Sequence, residues 1–189
     1  SGTSVSRDFV ELPSQWFEHW LESEEILKKF TCHYETENNI PSKLLKNVIL
    51  SRTFNSGFDT TEYLASAIMD IKLHSEKTNP NPIKLEKTYL DKIGLTKAIY
   101  PRHNLAQFQH IFSGGGYASA YYSYMWSEMM DEDAYSAFLE TGNIFDRETA
   151  KKFEKNILSK GGLKEPEILY KAFRKKLPDP QILIKSRNL

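Results

Sequence analysis

The chain has 189 residues, with 25 Lys plus Arg against 25 Asp plus Glu. That length suffices for one domain with a sizeable core, and the balanced charge gives no overall bias toward nucleic acid or an anionic membrane. No apolar run approaches transmembrane length, the N-terminus lacks the basic and apolar regions of a signal peptide, and the single cysteine, Cys32, excludes an internal disulfide.

Taken in order, the chain opens extended and turns helical near Asp8. Asp8 and Glu11 have capping-box spacing, and Pro13 removes a backbone donor early in the helix, which predicts a kinked or late start. Trp16, Trp20 and Leu21 supply the apolar side. Ser23 is the expected cap of a helix over 24–34, with Glu24 and Glu25 in the first turn, where the helix dipole favours acids. Pro41 suits a first helical position ahead of Leu44, Leu45, Val48 and Ile49. Asn55, Ser56 and Gly57 form a turn, and Asp59 with Glu62 predicts a second capping box opening a helix through Ser75, whose core face carries Leu64, Ile68 and Ile71. The KTNPNP loop, near 76–82, is the expected hinge, and a short amphipathic helix from Ile83 to Ile93 follows, closed by Gly94. Further on, Asp133–Glu140 reads as an acidic helix ending at Gly142. Asp146 begins another, with Phe153, Ile157 and Leu158, that stops at Gly161 and Gly162. Pro166 starts the last helix, with Leu169, Tyr170 and Phe173 inward, and the tail QILIKSRNL is expected as a short docked strand or a loose end. Nearly every segment has helical period, so the fold class is mainly α with little or no sheet.

Phe108 to Trp126, FQHIFSGGGYASAYYSYMW, departs from ordinary helix-packing composition. Tyr117, Tyr121 and Tyr124 are spaced i, i+4, i+7, which on a helix puts three phenols on one face, with Glu128 continuing the line. Ahead of them Gly114, Gly115 and Gly116 predict a mobile loop, since ordering three glycines costs more backbone entropy than a rigid core calls for. A neutral phenol is a hydrogen-bond donor at pH 7 and suits an oxygen that gains negative charge during acyl chemistry. An amphipathic core role for a tyrosine stripe is the plain alternative, which His110, just before the glycines, makes less apt.

Three stretches in order, RDFVELPSQ (7–15), FNSGFDTTEYLASAIMD (54–70) and HIFSGGGYASAYYSYMWSE (110–128), resemble the C-terminal part of the zinc oligopeptidases that include thimet oligopeptidase, oligopeptidase A and peptidyl-dipeptidase (dipeptidyl carboxypeptidase). The resemblance runs from Ser1 to about Leu183. It implies a helical C-terminal subdomain of a gluzincin-type oligopeptidase. In that family zinc is held by two histidines of an H-E-x-x-H helix and by a glutamate on the following helix, which matches Glu11. His19, His33, His74, His103 and His110 include no pair at that spacing. The resemblance therefore implies that the H-E-x-x-H helix lies upstream of Ser1 and that this chain is a C-terminal fragment with one of three zinc ligands. It also implies that His110, Tyr117 and Tyr124 hydrogen-bond the substrate or the tetrahedral intermediate, that Tyr121 lines the same face, and that Gly114, Gly115 and Gly116 close over substrate backbone. Asp8 could orient a zinc ligand or simply cap its helix. The chain departs from the family pattern by one additional glycine between His110 and Tyr117, by Ala120 where a glycine is usual, and by FRKKLP in place of an FRGR-like stretch.

The expected function is thus part of a Zn2+-dependent metallopeptidase acting on short peptides, with the N-terminal remainder of its own parent as partner and no nucleic-acid or membrane partner. The fragment alone is expected to be inactive. A cytoplasmic location is expected, with the periplasm left open. A noncatalytic helical peptide-binding domain, or a purely structural helical domain, are the other readings, and whether the parent cuts internally or removes C-terminal dipeptides is open at this level.

Overall fold

A computed structural model describes residues 3–77 and 80–189. Among the described residues the regular structure is helical; the sole bridge is an isolated antiparallel one between Cys32 and Asn39. The chain divides into two compact units, Ser1–Phe54 with Ser127–Leu189, and Asn55–Trp126. The 76–82 segment falls inside the second unit, and its residues 78 and 79 lie outside the described residues. None of the described helices is long and apolar enough to cross a membrane.

In the first unit, α1 (Arg7–Val10) and α2 (Leu12–Leu21) are separated at Glu11, and Pro13 occupies the first turn of α2. The early proline thus splits the helix, because it has no N–H to give the preceding turn. The capping box does not form: Ser6 is the cap residue of α1 and Asp8 lies within the helix. Next come α3 (Glu24–Phe30), four residues shorter than expected and with Ser23 at the cap position but making no side-chain cap hydrogen bond, and α4 (Ser42–Ser51). Thr31 turns extended after α3, and the Nδ1 of His33 accepts from the backbone N–H of Glu35 and Thr36, so that stretch winds into a turn. Helix α7 (Ser123–Leu139) is one continuous helix, into which the separately expected Asp133–Glu140 element merges.

Asp146 caps α8 (Arg147–Phe153) by accepting from Thr149 N–H at 2.8 Å, and the helix widens into a π-turn over Glu154–Leu158. A Cβ at Gly162 would lie 2.2 Å from the Ser4 carbonyl oxygen, so glycine is required where these segments meet. α9 (Pro166–Arg174) turns Leu169, Tyr170 and Phe173 inward as its 3–4 spacing predicts. The tail forms a helix, α10 (Gln181–Ser186), and not a strand or loose end. Arg187 just beyond it grips Glu128 through two hydrogen bonds of 2.9 and 2.5 Å.

The core of this unit gathers Phe9, Leu12, Trp16, Phe138, Phe153 and Tyr170. Trp16 stacks on Phe153 at 3.9 Å between ring centres. Burying each such side chain stabilises the fold by about 1.5–3 kcal/mol. A polar network closes one side: Arg174 reaches both oxygens of Asp133, at 2.9 and 3.1 Å, and also Glu140 at 2.8 Å. The Tyr170 hydroxyl donates to the same Asp133 at 2.7 Å. Burial alone would raise the Asp133 carboxyl, but the Arg174 and Tyr170 hydrogen bonds outweigh it and hold the group below its ordinary value.

The second unit is built on α5 (Ser56–Ser75) and α6 (Pro82–Lys92). α5 starts three residues ahead of the expected Asp59 cap, after Asn55 in a left-handed conformation (φ 59°). Its most buried face is Ala65, Ser66, Ala67, Met69 and Asp70; Leu64 and Ile71, expected inward, are exposed. Asn81 caps α6 through Lys84 N–H, and Gly94 after its end takes a positive φ of 70°. Met69, Leu85, Leu105, Phe108 and Ile111 form this unit's core.

Candidate functional site

The tyrosine stretch is not helical throughout. Helix α7 begins only at Ser123, and residues 113–122 wind through turns, with Gly114 at φ 134° and Ser119 at φ 56°. The continuous helix expected from the i, i+4, i+7 spacing is therefore corrected. The physical reason lies on α5. Asp70, fully buried, accepts from Ser119 N–H at 3.0 Å through Oδ1 and from Tyr121 N–H at 2.9 Å through Oδ2. Those two amides are spent on a carboxylate and not on carbonyls four residues back, and a left-handed residue in the middle breaks the helical path. His74, one turn along α5, directs Nδ1 to Asp70 Oδ1 at 2.8 Å and completes the carboxylate's partners.

The turns still bring the expected side chains together. The ring of His110 lies 5.2 Å from Tyr117, 5.5 Å from Tyr121 and 5.9 Å from Tyr124, centre to centre. Tyr121 and Tyr124 are 5.7 Å apart. His110 is carried by a short 3-10 turn over Gln109–Phe112, whose neighbours Phe108 and Ile111 are buried in the core. The imidazole is thus fixed by its backbone while its ring stays accessible. Tyr63 on α5 stacks on Tyr121 at 5.3 Å, donates to the Tyr121 carbonyl at 2.5 Å, and accepts from Met125 N–H at 3.2 Å. The wall is thereby tied to α5 by Tyr63 and by Asp70.

Tyr63, Arg102, His103, His110, Tyr121 and Tyr124 line one cavity of about 330 Å³. Burial raises the Tyr121 phenol above its ordinary value, with Arg102 opposing the shift, so at neutral pH the hydroxyl is a donor. Phenol and imidazole donors converging on one space suit a carbonyl oxygen or an oxyanion. Gly114, Gly115 and Gly116 stand exposed at the start of the turns. Only Gly114 among the first two is required by conformation, since a Cβ at Gly115 would meet no atom within 4 Å.

Glu11 belongs to the first unit. It sits half-buried at the break between α1 and α2, and Ser14 Oγ donates to its Oε2 at 3.0 Å. Among the described residues no three His, Cys, Asp or Glu side chains are grouped to hold a metal. A half-exposed carboxylate steadied by one hydroxyl has an oxygen chemistry suited to a single metal ligand and does not by itself make a complete site. Glu128, in the first unit, is held by Arg187.

Sequence reasoning overlooked Asp70, Tyr63, Arg102 and His103. For Asp70 a signal existed: an acid set between Ala67, Met69 and Leu73 on a helix, with a histidine four residues on, is a carboxylate placed where the pattern calls for an apolar residue. For Tyr63, nothing in the pattern foretold a hydroxyl bonded to a carbonyl 58 residues away.

The sequence profile of Peptidase family M3 matches residues 1–189. The chain is 34% identical over 194 residues to a dipeptidyl carboxypeptidase of Escherichia coli, covering 100% of this chain and 28% of that protein. It is 39% identical over 182 residues to oligopeptidase A of the same organism, covering 94% of this chain and 26% of the relative. A thimet-like oligopeptidase of Dictyostelium discoideum is 28% identical over 195 residues, with 28% of its length covered. The chain thus spans roughly a quarter of the length of the curated relatives it matches. With the whole chain inside the profile and two relatives above 30% identity, the chain belongs to Peptidase family M3.

Proposed function

We propose that this chain is part of a zinc metallopeptidase that hydrolyses short oligopeptides. The observation that carries the reading is the convergence of His110 with Tyr117, Tyr121 and Tyr124, in a chain matched throughout by a peptidase family. That match favours a peptidase over a noncatalytic peptide-binding domain. Substrates named for the relatives, peptides from which C-terminal dipeptides are removed or short oligopeptides, share a scissile amide.

Bound zinc would polarise the scissile carbonyl and lower the pKa of a water molecule. Glu11 supplies one oxygen ligand, and the other two come from the parent outside this chain. Tyr124 and Tyr117 donate to the oxygen that becomes negative as the amide carbon turns tetrahedral, and His110 donates to the same oxygen or to the substrate backbone. Tyr121 packs His110 and Tyr124 in place. Gly114, Gly115 and Gly116 offer backbone without side chains beside the substrate strand. This fragment alone, with one carboxylate for the metal, is inactive on this reading.

The test is elemental analysis of the dialysed parent protein with and without Glu11→Gln. Near-stoichiometric zinc in the wild type and its loss in the variant supports the assignment. Retained stoichiometric zinc in the variant removes Glu11 from the metal site.

A further inference from the structure

His74 is not among the residues that line the cavity beside the tyrosine wall, yet its ring meets two groups that hold that wall. Nδ1 lies 2.8 Å from Asp70 Oδ1 and 3.0 Å from the backbone carbonyl oxygen of the same residue, one turn back on α5. Both carboxylate oxygens of Asp70 already accept a backbone amide, and a carbonyl oxygen can only accept, so Nδ1 carries the hydrogen and shares it between the two. The imidazole also lies 5.9 Å from the ring of Phe112, centre to centre, on the 3-10 turn that carries His110. The Asp70 side chain is wholly buried and that of His74 is 21% exposed, so exchanging the ring disturbs the core less than exchanging the carboxylate.

We infer that His74 is a positioning residue of the tyrosine wall, acting through Asp70. The inference rests on the peptidase reading and deepens it, by extending the machinery of that site to a residue outside the cavity. A carboxylate turns about a soft terminal torsion. Ser119 N–H requires Oδ1 and Tyr121 N–H requires Oδ2, so the turn keeps its shape only while each oxygen faces its own amide. The hydrogen on Nδ1 fastens Oδ1 beside the carbonyl of its own residue, and Oδ2 is thereby left facing Tyr121. That hold reaches the chemistry because Tyr121 packs His110 at 5.5 Å and Tyr124 at 5.7 Å between ring centres. The contact with Phe112 sets the same imidazole against the segment of His110, so one side chain meets the supports of both halves of the wall.

The test uses the zinc-loaded parent protein, one short peptide and three variants. His74→Leu removes the donor, His74→Asn puts an amide N–H close to the place of Nδ1, and His74→Gln puts one closer to the place of Nε2. His74→Leu and His74→Gln should lower kcat by roughly 10- to 100-fold, with little change in KM and none in zinc content, because a displaced donor is missed mainly in the transition state. His74→Asn should recover most of that loss. A merely structural role predicts lower stability with the kcat of the folded protein unchanged. Hydrogen exchange at the Ser119 and Tyr121 amides of the parent provides a readout independent of turnover: it should quicken by about 10-fold or more in His74→Leu and His74→Gln and stay slow in His74→Asn. Unchanged kcat in folded His74→Leu, recovery by His74→Gln equal to that by His74→Asn, or unchanged exchange at both amides would overturn the proposal. If His74→Leu does not fold, the Asn and Gln variants decide by the same two readouts. Exchange that follows the expected pattern in a parent that cuts no peptide supports the role of His74 in holding the turn and sinks the peptidase reading; hydrolysis with exchange and kcat unaltered in every variant sinks His74 alone.

Discussion

The buried carboxylate of Asp70 and the backbone N–H of Tyr121 lie 2.9 Å apart, 51 residues separated in sequence, and this bond holds the tyrosine wall in a shape its own spacing would not give it. With Ser119 N–H at 3.0 Å and His74 Nδ1 at 2.8 Å, Asp70 uses both oxygens. Charge-assisted bonds of this kind are about twice as strong as neutral ones. Asp70→Ala leaves two amides and an imidazole short of an acceptor and should cost about 2–4 kcal/mol of stability. It should also lower kcat/KM of the parent by roughly 10- to 100-fold, because one displaced turn moves Tyr121 and its ring neighbours. Chemical denaturation and peptide kinetics on the same preparation check both. Full activity in a folded variant would show that the turn holds its shape without the carboxylate.

Tyr124→Phe removes one hydroxyl and little else, since the ring contacts with His110 and Tyr121 survive. Removal of a preorganised donor to a developing oxyanion costs about 3 kcal/mol in barrier. The expected result is a fall of roughly 100-fold in kcat with unchanged zinc content. Unchanged turnover would exclude Tyr124 from the chemistry.

In the first unit His19 Nε2 and Asp131 Oδ1 are 2.7 Å apart, with the His19 ring stacked 4.5 Å from Tyr135. Burial, then the charges of Glu132, Glu128 and Glu18, push the Asp131 carboxyl up to about 9, while burial lowers His19. Both shifts favour a neutral pair, with the proton on Asp131 at neutral pH. Because the folded carboxyl is raised, its contribution to stability is complete below the unfolded carboxylate pKa and is lost as pH rises toward about 9. His19, lowered, acts in the opposite sense and only below its ordinary value near 6.5. Between pH 7 and 9 the melting temperature of the wild-type parent should therefore fall relative to Asp131→Asn, which has no proton to lose. Parallel curves for the two proteins across that window would refute the neutral pair.

Arg174 bridges Asp133 and Glu140, and both Arg174 and Asp133 are almost wholly buried at their side chains (7% and 4% exposed). Arg174→Met keeps the volume but leaves Asp133 with the Tyr170 hydroxyl and the more distant Lys176. Breaking a buried pair on one side costs about 3–5 kcal/mol. Urea denaturation should show that loss, and adding Asp133→Asn to the variant should recover part of it.

The sequence by itself determined that the chain is helical and fixed several of the helix ends. Pro13 and Pro166 remove donors, Asp146 accepts an amide, and Gly94 and Gly142 take positive φ, all of which are local matters of one turn of chain. It also carried the family, because the Glu11 and His110–Tyr124 stretches are compact motifs. Where a residue's conformation depends on a partner far along the chain, local pattern was silent or wrong. The run from Tyr117 to Tyr121 has helical spacing, yet Asp70 takes its amides; the tail reads as strand or coil, yet it forms a helix followed by an Arg187–Glu128 pair 59 residues apart. Only tertiary structure decided those cases, since a buried carboxylate or an ion pair outweighs the few tenths of a kcal/mol by which intrinsic propensities distinguish most residues.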